Sequence, residues 1–358
     1  MIFYCIYLSK HHEHTKNLSF IHFPIFCFYV NDLPFTTLSV FEQELNQSES
    51  FNILKSAIAG AAAGSITRSL CQPLDVLKIR FQLQLEPIHD GSKYSSIFQA
   101  VKSIIKEEGI ATLWSGLVPA QYLSVSFGVI QFATFEALTK KCKQINYKLF
   151  ASQSHLFNFA NGAAAATLAT VASYPFDTVR TRLIAEQKTN KAYKGFVNAC
   201  TCMVKQEGAH SLFKGLLPTL GQVAPHAGSL FLVYKLFTDV ILIKIPFFRR
   251  EELSSVNLTV FGNLIAGSIS GLVSKTVIYP FDVVKKRLQI QGFQQFRKAF
   301  GRQMYCQGTF HCLRLTIAEE GYLALYKGYL PSMYKAILTT ALHFAVYDEV
   351  KNMLERLK

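Results

Sequence analysis

Pro73-Leu-Asp75-Val-Leu-Lys78-Ile-Arg80 ends a long apolar stretch, and the same pattern returns as Pro175-Phe-Asp177-Thr-Val-Arg180-Thr-Arg182 and Pro280-Phe-Asp282-Val-Val-Lys285-Lys-Arg287. The copies stand about a hundred residues apart. Self-similarity at a fixed period means that one structural unit has been repeated. A second signature follows each copy: Glu-Gly, four residues, an aromatic, one residue and Gly. It reads Glu108-Gly109 to Trp114-Ser115-Gly116, Glu207-Gly208 to Phe213-Lys214-Gly215, and Glu320-Gly321 to Tyr326-Lys327-Gly328. A proline then opens a second apolar stretch, at Pro119, Pro218 and Pro331. Three ordered, two-part matches leave no room for coincidence.

Composition sets the solvent. Only 17% of the 358 residues are charged and 50% are hydrophobic, whereas soluble domains carry about a quarter charged residues. This depletion favours a membrane protein. The formal charge of +14 fits basic loops near anionic headgroups, or cations lining a path for an anion. Nucleic-acid binding would explain the charge but not six apolar segments.

Those segments predict six spanning helices at roughly residues 53–80, 118–141, 155–182, 217–240, 258–287 and 330–354. Charges inside them are expected where one face lines water. Gly60-x-x-x-Gly64, Gly162-x-x-x-Ala166 and Gly267-x-x-x-Gly271 place small residues on one face before each proline, a pattern that permits close helix contact. Between paired helices run amphipathic segments such as Tyr94 to Glu108, with Ile97, Val101, Ile104 and Ile105 at helical spacing. These are expected to lie on the membrane surface.

Catalytic chemistry finds no foothold. Glycine-rich phosphate loops and recognisable nucleophile settings are both missing from the sequence. The eight cysteines form no Cys-x-x-Cys pair, so reduced thiols are expected. His11, His12 and His14 cluster without the further ligands that a closed metal site needs. No enzyme activity, cofactor or metal is expected.

On these motifs the chain resembles the mitochondrial carrier family over roughly residues 51 to 358. The resemblance implies an all-α membrane protein of the mitochondrial inner membrane, monomeric and multi-pass. Six transmembrane helices would form three pseudo-symmetric repeats, 51–145, 153–243 and 255–356, each with a short matrix-side surface helix. Residues 1–50 do not match and are expected to be a disordered N-terminal extension.

The kinking prolines would bend three helices to a common point, where acid and base project from one helix face. By resemblance, a matrix gate joins Asp75 to Arg180, Asp177 to Lys285, and Asp282 to Lys78. Gln82 and Gln289 would brace it, whereas Ile184 fills the equivalent place in the second repeat. The opposite, cytoplasmic gate retains one full copy of its motif, Tyr347-Asp348-x-x-Lys351.

The family's substrate positions fall here on Ser124, Gln222 and Lys335, with Arg68 and Lys275 five residues before signature prolines. Three cations suit a polyphosphate anion, and Gln121, Tyr122 and His226 are candidates to receive an aromatic ring. The phrases Lys78-Ile-Arg-Phe-Gln-Leu-Gln84, Pro119-Ala-Gln-Tyr-Leu-Ser124, Ser274-Lys-Thr276 and Lys285-Lys-Arg-Leu-Gln-Ile-Gln-Gly-Phe293 resemble those of the family's thiamine pyrophosphate branch, and this resemblance implies import of thiamine pyrophosphate against a nucleotide. Coenzyme A or an adenine nucleotide remains an alternative cargo, and a non-transporting carrier-like binding protein an alternative class. Gly116, Gly215 and Gly328 are the family's positions for cardiolipin, although Ser115 replaces the usual base beside the first.

Overall fold

The computed structural model describes residues 47–85, 93–145, 154–186, 192–238, 249–252, 255–258, 260–293 and 304–356. Nearly all of the expected extension 1–50, with its histidine cluster, lies outside these residues. The chain order is α1 (Gln47–Leu83), α2 (Ile97–Glu108), α3 (Leu117–Ile145), α4 (Ser154–Ala185), α5 (Phe196–Glu207), α6 (Leu216–Gly221) and α7 (Val223–Leu236). Then come β1 (Arg249–Glu252), β2 (Ser255–Leu258), α8 (Val260–Gln289), α9 (Thr309–Glu320) and α10 (Tyr329–Arg356). Among the described residues, two helical stretches, Ile110–Ile145 and Ala209–Leu236, are long and apolar enough to cross a membrane.

Three repeats are plain in this order: a long helix with an internal proline, a twelve-residue helix, a 3₁₀ turn and a second long helical stretch. The second long helix of each repeat packs on the first of the next, as α3 on α4, α7 on α8, and α10 back on α1. The bundle therefore closes on itself. The proline-bearing helices α1, α4 and α8 also touch one another, where Val76, Ile79, Leu83, Val179, Ile184 and Ile290 share one buried cluster.

Short helices start and stop where local chemistry dictates. Ser96 caps α2 by accepting a 3.3 Å hydrogen bond from the Gln99 N–H, which satisfies one of the orphan donors of a helix start. On α2 Ile104 is buried and Ile97 and Val101 pack behind it. Ile105 is 41% exposed, because adjacent helical positions cannot both face one partner.

Glycine is required where each repeat meets the next. Gly116, Gly215 and Gly328 have φ of 73°, 86° and 77°. A Cβ there would lie 3.1, 2.9 and 2.7 Å from the carbonyls of Arg180, Lys285 and Lys78, each in the following repeat. The close approach expected from the Gly-x-x-x-Gly pattern is not found at Gly64 or Gly162, where an added carbon meets nothing within 4 Å. The tight backbone contacts sit instead beside the proline elbows.

Two further expectations need correction. The predicted helix 217–240 is split at Gln222 into α6 and α7, because Pro225 has no N–H to reach the Gly221 carbonyl. The all-α expectation also misses the hairpin β1–β2, in which Arg249 pairs with Leu258 and Glu252 with Ser255. Four-residue strands are too short to leave a periodic signal.

Gly215→Ala is expected to lower stability by about 1–3 kcal/mol, since it forces both a left-handed backbone and an overpacked contact. Gly128→Ala, whose added carbon meets nothing within 4 Å, serves as control. Thermal unfolding of the detergent-purified protein separates them: equal midpoints would contradict the packing account.

Candidate functional site

Each proline elbow carries its carboxylate to the neighbouring repeat. Arg180 donates to Asp75 at 2.5 Å and to the Gln72 amide oxygen at 3.2 Å. Lys285 lies 2.9 Å from Asp177, and Lys78 donates to Asp282 at 3.2 Å. The three acid–base pairs named from the sequence are thus brought together in a cycle through all three repeats. Asp75 is 5% exposed, and Asp177 and Arg180 each 7%. Buried charges of this kind persist only when paired and hydrogen-bonded.

The two glutamines differ. Gln289 donates to Asp177 at 2.8 Å and to the Tyr174 hydroxyl at 3.1 Å. Gln82 donates instead to the Tyr279 hydroxyl at 3.1 Å, and that ring lies 5.8 Å from the Lys78 ammonium. Its own amide oxygen is buried without a partner among the described residues. Tyr174 and Tyr279 in turn donate to the carbonyls of Lys214 and Lys327, tying the elbows to the second signature.

Of the residues expected from the sequence to meet a substrate, two rest on carboxylates of this cycle. Lys335 is 2.6 Å from Asp75 and Lys275 is 3.8 Å from Asp282. Arg68 donates to the Ala120 carbonyl at 3.1 Å, while Ser124 is half-buried on α3. Gln222, at the α6–α7 break, is 6% exposed, and its amide oxygen has no partner among the described residues. The ring-accepting trio is not held as the sequence suggested. Tyr122 stacks on Phe196 and Phe176 at 5.4 and 6.0 Å, Gln121 donates to the Ser65 carbonyl, and His226 shares a 2.7 Å hydrogen bond with Ser274.

Sequence reading missed a second set of ion pairs, one step beyond the first. Arg80 forks onto Glu108 at 2.6 and 2.8 Å, Arg182 onto Glu207, and Arg287 onto Glu320 at 2.5 and 3.1 Å. The same guanidiniums donate to carbonyls of the adjoining repeat, at Ile184, Gln289 and Gln82. Their signal was present, since both members recur in all three copies. Burial would raise the Glu207 carboxyl, but hydrogen bonds from Arg182 and Lys214 outweigh it and hold the group below the usual carboxylate range. Lys214 and Lys327 also donate to the carbonyls of Gln291 and Gln84, a link that Ser115 does not make in the first repeat.

At the far end of the helices, Asp348 is exposed on α10, and the Lys351 side chain lies outside the described residues. Glu136 pairs with Lys140 of its own helix at 2.9 Å. Among the described residues no group of three or more His, Cys, Asp and Glu gathers as a metal site.

A family profile for mitochondrial carrier proteins matches residues 49–145, 152–244 and 256–358, one match per repeat. Relatives include the mitochondrial thiamine pyrophosphate carriers of Macaca fascicularis and Homo sapiens, each 38% identical. They align over 298 and 295 residues, covering 82% of this chain and 90% and 89% of those proteins. The mitochondrial thiamine diphosphate carrier 1 of Arabidopsis thaliana is 37% identical over 320 residues, covering 84% and 93%. The three-fold signatures and these matches agree: the chain belongs to the mitochondrial carrier family, and is a transporter rather than an enzyme and a multi-pass protein of the mitochondrial inner membrane.

Proposed function

We propose that this protein imports thiamine pyrophosphate into the matrix in exchange for a nucleotide, as a monomer with six transmembrane helices, by alternating access. The cargo is the one named for relatives aligned over more than four-fifths of the chain. The observation that carries the mechanism is the contact of Lys335 with Asp75 and the approach of Lys275 to Asp282. Two cations that a pyrophosphate would seek are already engaged with the gate.

Opening then follows from competition. Phosphate oxygens that draw Lys335 and Lys275 away leave Asp75 and Asp282 with one cation each, Arg180 and Lys78. Turning a closed-to-open ratio of 99:1 into 1:99 takes about 5.5 kcal/mol of differential binding. Charge-assisted hydrogen bonds contribute about 1.5–3 kcal/mol each, so Arg68, Lys275 and Lys335 acting together reach that figure. One lysine alone does not. A cargo with a single carboxylate would engage too few of them, which favours a polyphosphate. Ser124 and Gln222 serve as further contacts, the buried amide oxygen of Gln222 being available to a donor on the cargo.

Asp75, Arg180, Asp177, Lys285, Asp282 and Lys78 act as the matrix gate, with Gln289 bracing its pair directly and Gln82 acting through Tyr279. Tyr347-Asp348-x-x-Lys351 is the one complete copy of the cytoplasmic gate motif in the sequence, and Asp348 and Lys351 are its acid and base. Gly116, Gly215 and Gly328 open helices whose backbone N–H groups suit cardiolipin phosphates, although their packing already requires glycine.

Lys335→Ala is expected to reduce thiamine pyrophosphate uptake into nucleotide-loaded liposomes at least tenfold, with the thermal unfolding midpoint little changed. Saturable uptake at the unmodified rate would remove Lys335 from the site. Lys78→Asp should lose most exchange, and adding Asp282→Lys should restore a substantial part of it. A double variant no better than the single one would refute the gate pairing. Excess unlabelled ADP or coenzyme A that competes better than thiamine pyrophosphate would move the assignment to that alternative cargo.

A further inference from the structure

Lys286 has no counterpart in the other repeats, where Ile79 and Thr181 hold its place in the signature. It is only 9% exposed, yet its ammonium is fully used. It donates to Asp177 at 3.0 and 3.2 Å, to the Thr181 hydroxyl at 2.9 Å and to the Gln289 amide oxygen at 2.9 Å. Three N–H donors thus meet three side chains, two on α4 and one on α8. Gln289 returns a 2.8 Å bond to Asp177, so the cluster is closed.

The three corners of the gate are therefore unequal. Asp75 and Asp282 each share their charge with one of the lysines proposed above to bind cargo, Lys335 or Lys275. The partners of Asp177 are Lys285 and Lys286, both beyond the proline elbow of α8. Asp282 is the most loosely held, its two cations standing at 3.2 and 3.8 Å. A cargo that engaged Lys335 and Lys275, as proposed above, would loosen two corners and leave the third untouched.

We propose that Lys286 is a positioning residue that keeps α4 and α8 latched while the other corners part, making the Asp177 corner the pivot of matrix-side opening. The inference rests on the gate reading above and adds to it an order of events. Removing the extra cation should turn a pivot into a third movable corner. The protein would then open without cargo, at the expense of strict exchange.

The test is hydrogen–deuterium exchange on the full chain in detergent without cargo, comparing wild type, Lys286→Met and Thr181→Val. Methionine keeps the unbranched length without the charge, and Asp177 retains Lys285 and Gln289. Exchange should quicken about fivefold or more at residues 177–186 and 283–291 in Lys286→Met, less in Thr181→Val, and stay unchanged at residues 72–83. In liposomes, uptake into vesicles lacking internal nucleotide should rise several-fold relative to exchange, with KM within about twofold of wild type. Unchanged protection at the α4–α8 corner overturns the proposal. So does equal loss of protection in α1, α4 and α8, which would make Lys286 a general structural residue. Should Lys286→Met fail to fold, Thr181→Val decides by the same criteria. Hydrogen exchange needs no cargo, so an error in the thiamine pyrophosphate assignment would appear in uptake and competition and leave this readout standing.

Discussion

A carboxylate on each proline-bearing helix reaches a cation on another repeat, and the remainder of the molecule is arranged around that contact. Asp75 meets Arg180, Asp177 meets Lys285, and Asp282 meets Lys78. Each acid takes its nearer signature cation from another repeat, so three repeats are needed to close the cycle. Burial makes the contacts matter. A lone carboxylate at this depth would cost several kcal/mol, and removing one partner leaves the other stranded. Such pairs contribute less to net stability than to selecting one arrangement, which fits the opening proposed above.

Around this cycle the backbone is drawn in tightly. Gly116, Gly215 and Gly328 let the start of each second helix approach the next elbow within van der Waals distance. One layer further on, Arg80, Arg182 and Arg287 bind the short helices to the elbows through Glu108, Glu207 and Glu320. These guanidiniums also reach backbone carbonyls of the adjoining repeat. The two layers differ in chemistry: the inner one depends substantially on lysine ammonium groups, and the outer one on bidentate arginine. Forked pairs are geometrically stricter, so the outer layer is suited to hold each short helix firmly on its elbow.

How much of this was legible in the sequence depended on repetition. The elbows, their acids and bases and the two-helix unit recur three times, so period and residue type located Asp75, Asp177 and Asp282, while the pairing with Arg180, Lys285 and Lys78 came from the resemblance to the carrier family. The Arg–Glu layer recurs as well and was readable in principle. What occurs once was not. Lys286 differs from Ile79 and Thr181, so no comparison between copies marked it. The Lys335–Asp75 contact joins opposite ends of the chain and has no periodic trace. The break at Gln222 needed the rule that Pro225 strands the carbonyl four residues earlier, applied inside a segment that looked uniformly apolar. His226, a candidate to receive an aromatic ring, shares a hydrogen bond with Ser274 that residue type alone could not foretell.

The central claim is that anionic cargo opens a ring of inter-repeat ion pairs. It is tested most directly by pulsed EPR distances between spin labels at the exposed positions Lys102 and Arg314, on α2 and α9, in lipid nanodiscs. One short, narrow distance distribution without cargo, joined by a longer population at saturating thiamine pyrophosphate, is the result the account predicts. A distribution unchanged by cargo whose binding is verified in the same sample would contradict it.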